Sequence, residues 1–168
     1  VQPMAAHVPR SARHDALQAG RNLVRRRNCI GCHEIESDGG DYVELLDDPS
    51  LAPPLLTPEG AKVKPEWLYA FFQAPIPIRP WLEVRMPTFG LDDGHWNTVL
   101  EYFAAISETV GLFRTDEPVT VAQLPAEGRE LFELLRCQQC HVLDTIPADQ
   151  PTDNLAPDLR MASERLQP

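Results

Sequence analysis

Cys29-Ile30-Gly31-Cys32-His33 is a C-x-x-C-H stretch, and it decides how the rest of the chain reads. The spacing is the signature for covalent attachment of c-type haem. On a helical turn, two thiols three positions apart can each add to one vinyl group of the porphyrin. The imidazole that follows can then take the iron as its proximal ligand. A bare C-x-x-C would serve equally as a redox dithiol or half a zinc site; the histidine favours haem. The stretch recurs as Cys137-Gln138-Gln139-Cys140-His141, and the two copies use all four cysteines of the chain.

The chain has 168 residues, room for one or two small domains with real cores. Composition is 43% hydrophobic with no apolar run long enough to span a bilayer. The formal charge of −10 repels nucleic acid and anionic membranes and suits a partner with a basic docking patch, or simply keeps the protein soluble. The start, Val1-Gln2-Pro3, lacks the charged and apolar regions of a leader peptide. Covalent haem attachment takes place on the outer side of the bacterial plasma membrane or in organelles. The expectation is therefore an exported, periplasmic chain, processed or cut from a longer protein. Any membrane anchor would lie in another segment or subunit.

Residues 1–10 read as an exposed lead-in, with His7 and the nearby His14 as surface histidines. Ser11 is placed to cap a helix whose apolar face is Ala16, Leu17, Gly20, Leu23 and Val24. Gly20 in mid-helix costs about 1 kcal/mol relative to Ala, which close approach by another helix would explain. Arg25-Arg26-Arg27 read as solvated charges at the helix end. Residues 34–50 are acidic and Gly/Asp-rich, and predict a surface loop. Leu51-Ala52-Pro53-Pro54-Leu55 follows, and the carbonyl of Pro53 or Pro54 is expected to accept the second ring N–H of His33. Pro65 opens a short helix with Trp67, Leu68, Phe71 and Phe72 on one face, fit to wall a porphyrin. Prolines 75, 77 and 80 then force an extended path to Arg85-Met86-Pro87. Met86, on a loop stiffened by Pro80 and Pro87, is the expected distal ligand, a soft thioether that raises the reduction potential. Arg79, Trp81 and Arg85 are candidate donors to the haem propionates. Asp92 or Asp93 should cap a last helix with Trp96, Val99, Leu100, Phe103 and Ile106 buried, His95 exposed, and Tyr102 or Phe103 packed on Gly20.

Residues 108–125 read as a linker, and at 126 the sequence begins again. Gly20-Arg21 matches Gly128-Arg129 and Leu23 matches Leu131, both at the offset of 108 that aligns the two C-x-x-C-H stretches. Leu51-Ala52-Pro53 matches Leu155-Ala156-Pro157 at an offset of 104, and Lys62-Val63-Lys64-Pro65 is similar to Arg165-Leu166-Gln167-Pro168. These matches argue for two copies of one module. The second, 126–168, is expected to be incomplete and to pack on the first copy, on a partner or on other sequence. Met161 aligns near Thr57 rather than Met86, so the sixth ligand of a second iron is expected from elsewhere or not at all.

On Gly20-Arg21, Cys29-Ile30-Gly31-Cys32-His33, Leu51 to Leu55, Pro65-Glu66-Trp67-Leu68 and Arg85-Met86-Pro87-Thr88-Phe89, the chain resembles the class I c-type cytochrome family, in particular its bacterial diheme members. The resemblance covers 11–107 as a complete unit and 126–168 as the opening of a second. It implies an all-α fold around haem with the first and last helices crossing. It further implies two covalently attached c-type haems, on Cys29 and Cys32 and on Cys137 and Cys140. His33 and Met86 would be axial ligands of the first iron, and His141 a ligand of the second. The expected function is electron transfer, as a carrier or as the haem subunit of a larger membrane-associated redox complex, with redox proteins as partners. Two further readings are a diheme peroxidase-like enzyme with an open second iron, and a structural subunit whose haem is incidental.

Overall fold

A computed structural model describes residues 10–79, 82, 84–109, 125–143 and 156–167. The lead-in up to residue 9, Trp81, and most of the expected linker lie outside the described residues. The fold is mainly helical, as expected. In chain order come α1 (Arg10–Arg26), the strands β1 (Glu34–Ile35) and β2 (Asp38–Gly39), α2 (Glu59–Lys62), α3 (Pro65–Gln73), α4 (Asp93–Thr109), α5 (Pro125–Leu134) and α6 (Ala162–Arg165). Among the described residues no helix is long and apolar enough to cross a membrane.

The core of the first module is built on α4. Trp96, Val99, Leu100, Tyr102, Phe103 and Ile106 are all buried, and Phe72 of α3 stacks on Trp96 with ring centroids 4.7 Å apart. α1 crosses this surface with Ala16, Gly20 and Val24 buried, an i, i+4 stripe. A Cβ at Gly20 would stand 2.2 Å from the Cβ of Tyr102, so the missing side chain is what lets the helices meet. At Gly60 of α2 a Cβ would stand 2.2 Å from the Phe103 carbonyl, which sets α2 equally close on α4. Pro65 is in the first turn of α3, as expected, while the cap of α4 is Asp92, whose Oδ1 accepts the His95 N–H at 2.8 Å. α1 begins at Arg10, so Ser11 lies inside its first turn rather than capping it.

The acidic stretch after His33 is more ordered than a surface loop. β1 and β2 pair antiparallel, Glu34 opposite Gly39 and Ile35 opposite Asp38, and 3-10 turns follow at Asp41–Leu45 and Pro49–Leu51. Ile35 is buried and anchors the hairpin to the core. The positive φ of Gly39 and Gly40 turns the chain sharply enough for the Gly40 N–H to reach the Ile30 carbonyl at 2.8 Å. Glu36 then faces α1 and α4 together. Its carboxylate accepts Arg21 Nε and Nη2, each at 2.7 Å, and the Tyr102 hydroxyl at 2.8 Å. The Arg21 guanidinium holds the Glu36 carboxyl below its usual range, while burial and that same carboxylate push the Tyr102 phenol up.

The start of the second module repeats the start of the first, and its far end returns to the first module. Val63 and Leu166 form an antiparallel bridge, with Lys64 N–H donating to the Arg165 carbonyl at 2.8 Å and Gln167 N–H to the Lys62 carbonyl at 3.0 Å. α5 itself is exposed: its Leu131 and Leu134, and Leu135 just after it, are each more than half in solvent. Gly128, the counterpart of Gly20, has open space within 4 Å of its Cβ position among the described residues.

The two glycines therefore predict opposite effects. Gly20→Ala should destabilise by about 1–3 kcal/mol through overpacking on Tyr102, whereas Gly128→Ala should be neutral or stabilise by up to about 1 kcal/mol. Thermal melts of the two variants check this. Glu36→Gln should cost on the order of 1 kcal/mol at neutral pH. Because folding lowers the Glu36 pKa, that contribution is full above the ordinary carboxylate value and fades as pH falls through the lowered one. Melts of parent and variant should converge in acid.

Candidate functional site: two cysteine-histidine turns

Each C-x-x-C-H stretch is laid out by the same backbone device. After α1, Asn28 adopts the left-handed conformation, φ 54 and ψ 32, and a 3-10 turn runs over Cys29–Gly31. After α5, Arg136 does the same, φ 56 and ψ 32, followed by a 3-10 turn over Cys137–Gln139. The residue in the left-handed region ends the helix and redirects the chain, a role usually given to Gly and, next, to Asn. Cys32 N–H and His33 N–H both return to the Cys29 carbonyl at 3.2 and 3.0 Å. Cys140 N–H and His141 N–H return to the Cys137 carbonyl at 3.1 and 2.9 Å. All four cysteines are free thiols. Burial pushes the Cys29 thiol up, so it is protonated at neutral pH.

The two histidines are oriented alike. His33 Nδ1 lies 2.7 Å from the Pro54 carbonyl, and His141 Nδ1 lies 2.8 Å from the Pro157 carbonyl. A carbonyl only accepts, so each Nδ1 carries the proton and each Nε2 keeps a lone pair for a metal. Burial lowers the His33 pKa, with the Pro54 carbonyl acting in the opposite sense, so the ring is neutral as a ligand must be. Pro54, not Pro53, is the acceptor. The sequence match of Pro53 to Pro157 is thus one residue out of register, and the structural counterpart of Pro157 is Pro54. The same register makes Leu56 N–H donate to the Glu34 carbonyl at 3.0 Å where Leu159 N–H donates to the Val142 carbonyl at 2.8 Å.

Arg79 sends Nη2 to the Ala52 carbonyl at 2.7 Å and Nη1 to the Ser50 carbonyl at 3.3 Å, so it holds the strand of chain that leads into Pro53 and Pro54. Burial lowers its pKa. Arg85 is exposed and donates to the neighbouring Val84 carbonyl at 3.2 Å. Met86 is half-buried and packs against the same apolar cluster as Cys29, Ile30, Leu56, Trp67 and Phe71. The structure thus gathers the first cysteine, the methionine and the aromatic helix around one core. Trp67 and Phe71 stack with centroids 5.1 Å apart. Met161 sits at the start of α6, far along the second copy from any counterpart of Met86. Among the described residues no three His, Cys, Asp or Glu side chains form a cage for a metal ion. Sequence reasoning missed the left-handed residues at 28 and 136, because neither is Gly, and missed the clamp on Glu36, whose partners lie 15 and 66 positions away.

Comparison with family models, with curated proteins and with solved structures finds no match.

At position 136 an arginine is held in the left-handed region, which costs roughly 1 kcal/mol for a residue with a Cβ. Arg136→Gly should therefore stabilise the second turn, seen as slower amide exchange of Cys140 and His141, while Asn28→Gly should gain less.

Proposed function

We propose that the chain is an electron-transfer protein of the class I cytochrome c type, carrying two covalently attached c-type haems. One observation carries this reading. Two stretches that share only Cys, Cys and His build the same left-handed entry, the same 3-10 turn and the same bond from Nδ1 to a proline carbonyl. A redox dithiol has no use for a tautomer fixed in this way at the residue after the second cysteine. A zinc-bound histidine would be held alike, but among the described residues no three His, Cys, Asp or Glu side chains are grouped to hold a metal ion by themselves. The donor set fits haem in each module: two free thiols at vinyl spacing and an imidazole with Nε2 available.

Bound there, haem supplies reversible one-electron exchange at iron. The roles of the chain follow from its own geometry. Cys29 and Cys32, and Cys137 and Cys140, would tether the porphyrins; His33 and His141 would be the proximal ligands. Met86 would supply the thioether at the first iron, on the apolar surface shared with Cys29 and Phe71. Arg79 would act mainly by fixing the loop that delivers the Pro54 carbonyl. Trp81 and Arg85 would serve the propionates. The acidic surface suits redox partners with basic docking patches, and covalent haem places the working chain on the periplasmic side, in or beside a membrane complex.

The test is expression alongside a haem-maturation system. A pyridine haemochrome assay should give two haems per chain, and one after the double change Cys137→Ser with Cys140→Ser. Met86→Ala should move the first haem toward a high-spin spectrum and lower its potential, with the second unaffected. Colourless parent protein, or one that binds zinc in stoichiometric amount instead, would overturn the reading.

A further inference from the structure

We propose that the edges at 62–64 and 165–167 are a self-complementary contact that sets the two modules about a local twofold axis and couples them as one redox unit. The coupling half of this rests on the two-haem reading above; the contact half does not.

The contact pairs like with like. Val63 faces Leu166, which occupies the same place in the second copy, 103 positions on. The bond from Lys64 N–H to the Arg165 carbonyl has its mate in the bond from Gln167 N–H to the Lys62 carbonyl. The side chains obey the same exchange: Lys64 Nζ donates to the Ser163 carbonyl at 2.7 Å, and Gln167 Nε2 to the Gly60 carbonyl at 2.8 Å. Lys64 and Gln167, Lys62 and Arg165, and Gly60 and Ser163 are each counterparts at that one spacing. A segment that merely collapsed onto a neighbouring surface would join unlike positions. Exchange of equivalent partners is the mark of an isologous, twofold interface.

The contact also lies close to both cysteine-histidine turns along the chain. Pro54 precedes Val63 by the same stretch as Pro157 precedes Leu166, and a one-turn helix fills each gap, α2 in one and α6 in the other. The orientation of each histidine is thus tied through a short, hydrogen-bonded segment to the seam. Trp67, stacked on Phe71, reaches the seam from the first module, and the Arg165 guanidinium lies 5.6 Å from its ring centroid. Arg165 Nε is buried there without an acceptor among the described residues. A buried N–H left so is destabilising, and a propionate oxygen would satisfy it.

Gln167→Pro in the haem-loaded protein removes the backbone donor and the side-chain donors together. Leu166 already has φ −89 and ψ 147, the region that a following proline requires of the residue before it. Gln167→Ala removes the side-chain donors alone. In the parent, the amides of Lys64 and Gln167 should be protected from exchange. Lys64 exchange should quicken about tenfold or more in Gln167→Pro and less in Gln167→Ala, as loss of two or three bonds near 1 kcal/mol each requires. Electron exchange between the haems should slow in the same order, with haem content unchanged. Parent amides at Lys64 and Gln167 that exchange at free-peptide rates would overturn the contact. Unaltered interhaem exchange once Lys64 is deprotected would overturn the coupling. Fewer than two haems per parent chain would overturn the coupling together with the two-haem reading, and Lys64 protection would still decide the contact.

Discussion

The first module closes because a tyrosine ring fills the space that a side chain at position 20 would need. With Tyr102 seated on Gly20, its hydroxyl reaches Glu36, and Glu36 in turn grips Arg21 one residue along the same helix. One close approach thus joins the first helix, the last helix and the hairpin that follows the cysteine-histidine turn. The hairpin is what brings the Gly40 N–H back to the Ile30 carbonyl inside that turn. Packing and polar satisfaction support each other here: the phenol is buried and hydrogen-bonded, and the carboxylate it meets is charge-balanced.

Much of this was legible in the residues. The apolar faces of α1, α3 and α4 follow helical spacing, and a glycine in the middle of an otherwise strong helix pointed to the crossing. Asp92 and Pro65 announced two helix starts. Other features were hidden for physical reasons. Two-residue strands carry too little alternation to show as a pattern, so the hairpin passed for loop. The left-handed positions at 28 and 136 carry Asn and Arg, and only tertiary context reveals the conformation of an arginine. The choice between adjacent prolines as acceptor depends on a register that composition does not record. The similarity of residues 62–65 to residues 165–168 was visible, but likeness between two segments does not say that they touch.

The two modules also show how little the connection matters to the site. The chain between histidine and acceptor proline spans 21 positions in the first module and 16 in the second. Loop-closure entropy grows only with the logarithm of length, so this difference is worth about 0.2 kcal/mol. The free energy of orienting the ring is therefore set locally, by the turn and the carbonyl, and the intervening segment can be spent on other tasks. In the first module it supplies the Glu36 clamp.

Because each imidazole is steered by a main-chain oxygen, no exchange of one amino acid for another can delete the steering group. A side-chain acceptor would be lost to a single base change; a carbonyl survives every one of them. The vulnerability moves from residue identity to chain path. Errors that shift the backbone near Pro54 or Pro157, such as small insertions or losses of a residue, are the lesions to which these two sites are exposed, and drift in sequence between the copies leaves them standing.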